Sequence, residues 1–158
     1  MQNPSDPRTP SLGSLLRAAR NTYVLAVRTP LAESGFDDLP RDGVYTISAI
    51  ATGDISPAGL GGRLGISKQA VSQLLDALVL RGYVERSIDT VDRRRMRLAL
   101  TDRGKDVAAI CRLAIDRLER RIAEMVGEEF IQHTRRTLEA LITLASKPDF
   151  SLRAVEEP

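Results

Sequence analysis

Cys111 and His133 are the only thiol and the only imidazole in 158 residues. That excludes an internal disulfide, a Cys/His zinc cage and most pairings of a nucleophile with a histidine base. With no phosphate-binding loop or metal-ligand cluster either, no catalytic residue, metal site or cofactor is expected, and the chain does not read as an enzyme. The chemistry on offer is recognition. Gln69, Ser72, Gln73 and Asp76 fall at i, i+3, i+4 and i+7 with Lys68 just ahead, so one helical face carries them all. A glutamine amide offers the donor and acceptor that adenine N6 and N7 ask for, a serine hydroxyl bonds base or phosphate, and lysine supplies charge. Arg93, Arg94 and Arg95 place three like charges side by side, a repulsion that a phosphate backbone or a narrow minor groove relieves. Asp92 ahead of them is read as holding their loop through its carboxylate.

The charge distribution points the same way. Residues 61–105 hold twice as many basic as acidic side chains, whereas the rest of the chain is net acidic, although the total is only +2. A basic third in a near-neutral protein presents a face to a polyanion, of which nucleic acid is the commonest. The length suits one domain burying about 70% of its unfolded surface, and 42% hydrophobic with 28% charged residues is a globular composition. No apolar run is long enough for a membrane span, and the polar start has no hydrophobic signal core, so the expected compartment is the cytoplasm with no membrane partner.

Positioning these groups requires a particular set of elements. Ser11 caps a first helix with Leu12, Leu15, Leu16, Ala19, Tyr23 and Val27 at helical steps, and Thr29-Pro30 is expected to restart it. A second helix is expected over residues 40–51, with Val44, Ile47, Ser48 and Ala51 on one side. Ser56-Pro57 opens a short helix with Leu60 and Leu64 paired, and Gly65 ends it in a left-handed turn. Ile66 plugs the core, and Ser67 caps a helix whose buried stripe is Ala70, Val71, Leu74, Leu75 and Leu78, stopped by Gly82. Two helices joined by a short glycine turn, the second with a polar outer face, make a helix-turn-helix. Residues 83–88 and 96–101 then read as a hairpin with Asp92 to Arg95 at its tip, a wing. A long helix over 103–126 carries the seam Val107, Cys111, Ala114, Leu118, Ile122 and Met125, and a last helix over 128–146 carries Phe130, Ile131, Leu138, Leu141, Ile142 and Ala145. Cys111 on the seam is expected to be buried and inert, and His133 to lie at the surface or an interface.

The strings LGGRLGISKQAVSQLLDALVLRGYVER, residues 60–86, and DRRRMRLALTDRGK, residues 92–105, resemble the MarR (multiple antibiotic resistance regulator) family of winged-helix regulators. The resemblance implies a mainly α, winged helix-turn-helix protein with a two-stranded wing hairpin and N- and C-terminal dimerisation helices. Its parts are a tail over 1–10, an N-terminal helical segment over 11–38, a DNA-binding lobe over 39–101, dimerisation helices over 102–146 and a tail over 147–158. It also implies a homodimeric regulator of double-stranded DNA, with Arg94, matching the Arg of the family's Asp-x-Arg motif, as the groove-inserting residue. Leu12, Leu15, Leu118, Ile122, Met125, Leu138 and Leu141 are the dimer candidates. For the effector cleft that often lies between dimerisation helices and reading lobe, the candidates are Arg20, Tyr23, Tyr45 and Ile110, fitted to a small aromatic or anionic molecule. Gly59, Gly61 and Gly62 depart from the family's usual residues and are expected to weaken their helix by roughly 1 kcal/mol each. The rival reading is a winged helix that docks protein or packages DNA without a specific operator.

Overall fold

The computed structural model describes residues 9–53, 57–88 and 96–145. Among these the chain forms six helices and one two-stranded antiparallel sheet, in the order α1 (Leu12–Glu33), α2 (Gly43–Ala51), α3 (Pro57–Leu64), α4 (Lys68–Leu80), β1 (Val84–Ile88), β2 (Met96–Leu100), α5 (Asp102–Val126) and α6 (Glu128–Ala145). None of the described helices is long and apolar enough to cross a membrane. Contacts divide the chain into two units, residues 1–116 and 117–158, the boundary falling within α5.

In the first unit α1 begins as its sequence requires, with the Ser11 hydroxyl accepting from the Ser14 N–H at 3.2 Å. It does not restart at Thr29-Pro30. The helix runs unbroken to Glu33 with Pro30 inside it. A proline costs a helix one hydrogen bond and crowds the carbonyl four residues back, but here Val27 before it and Leu31 after it are both buried in the same core and hold the two sides in line. The Pro30 carbonyl still accepts, from Ser34 N at 3.2 Å.

The second helix is shorter than its pattern suggests and turned differently. It starts at Gly43 rather than Pro40, because Pro40 to Gly43 close a turn, Gly43 N to Pro40 O at 2.9 Å, and Asp42 stands in the left-handed region at φ 62°. Its buried residues are Gly43, Thr46, Ile47, Ala49 and Ile50, whereas Ala51 is exposed. The Thr46 hydroxyl satisfies itself on the Asp42 carbonyl at 2.9 Å, which lets a polar residue sit inside the core.

Val27, Leu31, Ile47, Ile50, Leu74, Leu78, Tyr83, Val84, Val107 and Cys111 make the main core, drawn from α1, α2, α4, β1 and α5. A smaller core of Leu60, Val71 and Leu75 joins α3 to α4. Fully burying each such side chain is worth about 1.5–3 kcal/mol over exposure. The hairpin pairs Val84 with Leu100 through Ile88 with Met96. Leu98 and Leu100 pack against the main core, and Arg97 just ahead of Leu98 is exposed, as expected of a strand whose alternate residues face the core. Thr101 caps α5, accepting from Gly104 N at 3.1 Å and donating to the Gly82 carbonyl at 2.6 Å. Gly104 is there because nothing larger fits: a Cβ at this position would lie 2.1 Å from the Tyr83 carbonyl oxygen.

In the second unit the end of α5 and α6 are joined at Gly127, and Arg135 on α6 bonds Glu119 on α5 at 3.2 Å. Leu118, Ile122, Ile131 and Leu138 are half-buried, and Met125, Val126, Phe130, Leu141, Ile142 and Leu144 are exposed.

Candidate nucleic-acid interface

The helix pair α3 and α4 is fixed by its turn. Gly65 adopts φ 65°, a conformation costly to any residue with a Cβ, and this lets the Ile66 N–H reach the Gly61 carbonyl at 3.1 Å. Ile66 drops between the two cores and packs on both. The Ser67 hydroxyl accepts from Ala70 N at 3.2 Å, so α4 starts with a capped end and its positive pole toward solvent. The glycines ahead of the turn are not equivalent. A Cβ at Gly61 would press on the Ile66 carbonyl and the Val71 Cγ2, both at 3.3 Å, so its bare backbone serves the close crossing of α3 over the turn. Gly62 faces open space and carries only the weakness expected from the sequence.

Val71, Leu74, Leu75 and Leu78 turn the inner face of α4 into the cores, with Ala70 half-buried beside them. Lys68, Gln69, Ser72, Gln73 and Asp76 are all exposed. The amides and hydroxyl thus project from a helix whose roll is set by four buried side chains, the arrangement in which a helix presents its N-terminal residues to a major groove. Asp76 Oδ1 accepts from Arg86 Nη2 at 2.7 Å, tying α4 to β1. Asp92, Arg93, Arg94 and Arg95, the expected wing tip, lie outside the described residues.

A second cluster braces this lobe and was invisible in the sequence. The Tyr83 hydroxyl donates to Asp38 Oδ1, and Arg103 Nη2 donates to the same carboxylate oxygen at 3.0 Å and to the Tyr83 hydroxyl at 2.9 Å. The Arg103 guanidinium lies 4.6 Å from the Tyr83 ring centroid and 5.2 Å from that of Phe36, within cation–π range of both. Segment 36–38, the start of β1 and the start of α5 are held together by these groups. The Tyr83 hydrogen bond, with Arg103 adding to it, holds the Asp38 carboxyl below the usual carboxylate range. Burial and the Asp38 acceptor push the Tyr83 phenol up.

Among the effector candidates, Arg20 is engaged by Asp42 at 3.2 Å, Ile110 packs against the main core, Tyr23 is half-buried and Tyr45 is exposed. The dimer candidates Leu12, Leu15, Met125 and Leu141 are exposed and Leu118, Ile122 and Leu138 half-buried. Cys111 is buried as expected, and burial pushes its thiol up to about 11, so little thiolate exists at neutral pH. His133 is exposed on α6.

Residues 37–95 match the model of the MarR family. No curated protein gives a sequence match. Among solved structures the chain is similar to Streptococcus pneumoniae FabT in complex with DNA, at 24% identity and a TM-score of 0.68 over 84% of this chain and 93% of that one. It is similar to CouR from Rhodococcus jostii RHA1 bound to p-coumaroyl-CoA, at 23% identity and a TM-score of 0.66 over 90% of this chain and 96% of that one. Wild-type MarR from E. coli, in its apo form, matches at 20% identity and a TM-score of 0.60, over 85% of this chain and 98% of that one. At these identities the likeness to the solved structures is one of fold.

Proposed function

We propose that this chain, which carries a MarR-family winged helix in residues 37–95, is a transcriptional regulator that binds double-stranded DNA as a homodimer and represses by covering a promoter. The observation that carries the reading is the capped helix α4, with Lys68, Gln69, Ser72 and Gln73 exposed opposite a stripe of four buried side chains and a hairpin anchored beside it. A helix held this way enters a major groove without first having to be ordered, and Gln69 and Gln73 are the residues for adenine edges. Arg93, Arg94 and Arg95 are assigned to phosphates or the minor groove, with Asp92 supporting their loop.

Support for the dimer comes from apolar side chains left on the surface, Leu12 and Leu15 on α1 and Met125 and Leu141 on the last two helices. Two copies related by a two-fold axis set their reading helices about 34–36 Å apart and call for a pseudo-palindromic operator. The reading extends to release by a small aromatic or anionic molecule, for which the likeness to CouR bound to p-coumaroyl-CoA is the support. Arg20, which is paired with Asp42 at 3.2 Å, is the residue assigned to such an anion.

Selecting bound fragments from a random pool of duplex DNA tests the reading. Enrichment of an inverted repeat is expected, and Gln69→Ala or Gln73→Ala is expected to change the bases tolerated, at about 1–3 kcal/mol for each good contact. Retention of every sequence with a steep salt dependence identifies a packaging protein instead.

A further inference from the structure

We propose that Asp76 restrains sequence-independent affinity for DNA by keeping Arg86 occupied. The inference rests on the DNA-reading role of α4 and concerns the one acidic residue in its outward row. Gln69, Ser72 and Gln73 suit a groove, but a carboxylate at i+7 of the same row faces a polyanion that repels it. Its placement makes sense through its partner. Arg86 on β1 donates to Asp76 at 2.7 Å, and of the two side chains the acid is the more exposed, 57% against 30%. The guanidinium therefore lies at the edge of the reading face with its charge cancelled.

A guanidinium at that edge is an efficient phosphate ligand, with planar paired donors that match two phosphate oxygens. Set free, it adds a contact that every sequence offers equally and that releases about one further counterion. Bound to Asp76 it adds none. The chain already carries Lys68 and the consecutive Arg93, Arg94 and Arg95 for such contacts. A further one holds the protein more tightly on the excess of irrelevant sites without reading any base. Asp76 is in this sense a positioning residue, acting through the arginine that it holds.

The test is a cycle of variants in the full-length protein, with affinity for a random-sequence duplex measured between 50 and 200 mM salt. Asp76→Asn keeps the shape and removes the charge. It is expected to steepen the slope of log affinity against log salt by about one, which is roughly a threefold larger loss across that range. The steepening is expected to vanish when Arg86→Gln is present as well, because no guanidinium is left to release. Asp76→Ala gives the same readout should the asparagine variant fail to fold. Equal steepening with and without Arg86 overturns the proposal and makes Asp76 a lone repulsive charge. An unchanged slope in Asp76→Asn overturns it too. So does a loss of about one slope unit in Arg86→Gln alone, which means that Arg86 already contacts phosphate. Failure of the unsubstituted protein to bind any duplex is a different result, and it removes the DNA-reading role as well.

Discussion

Helices α4 and α6 are both amphipathic, and they dispose of their apolar faces in opposite ways. In α4 the stripe Val71, Leu74, Leu75 and Leu78 is buried within the chain itself, shared between two cores. In α6 none of the side chains described, residues 128–144, is fully buried, and Phe130, Leu141, Ile142 and Leu144 stay exposed. The same helical periodicity thus stands for two kinds of stability. Helix α4 is fixed by its own polypeptide, so its polar row keeps its direction whether or not a partner is present. The last helix leaves apolar side chains on its surface, which is why the proposed dimerisation is assigned to it and the proposed base reading is not.

The sharpest way to break this contrast is to hollow out the reading lobe. Leu78→Ala removes a fully buried side chain where α4 meets the main core, and a loss of about 2–5 kcal/mol is expected. Denaturant unfolding checks it, and the loss should be the same at every protein concentration. Leu141→Asp is the matching change on α6. It is expected to leave the lobe folded by circular dichroism and to weaken the proposed dimer at least tenfold, a difference of about 1.4 kcal/mol, read by sedimentation across a dilution series.

Smaller effects sharpen the picture of the lobe. Tyr83→Phe takes the hydroxyl from Asp38 and Arg103 and is expected to cost about 1 kcal/mol at neutral pH. The acid limb should change with it. Because the folded-state carboxyl of Asp38 titrates below its unfolded value, its contribution is present above the usual carboxylate range and is lost as pH falls through the lowered value. Without the Tyr83 hydroxyl that contribution shrinks, which urea unfolding from pH 3 to 7 detects. The smallest expected change is a gain: Gly62→Ala, in open space on α3, should stabilise by up to about 1 kcal/mol with DNA binding unaltered.

What was legible in the sequence was local. The Ser11 and Ser67 caps, the left-handed Gly65 and the buried stripe of α4 each follow from residues within one or two turns, and the structure has them where the pattern puts them. Pro30 misled because the decision lay elsewhere, in Val27 and Leu31 anchoring one unbroken helix to a core. The start of α2 was misplaced for a similar reason, since the turn over Pro40 to Gly43 competes with helix. The brace of Asp38, Tyr83 and Arg103 joins residues 45 and 65 positions apart and has no periodic signature. Asp76 was legible as part of the outward row, but its partner on the next element was not. Gly61 read as a weak helix former, and only the crossing of α3 over its turn explains why it is there.

The stoichiometry on a selected duplex tests the central claim most directly. Sedimentation of the unsubstituted protein with the shortest duplex recovered from the random pool is expected to give two copies bound to two half-sites about one helical turn apart. A single copy on an unrepeated site, or copies accumulating in proportion to duplex length, contradicts a paired reading head.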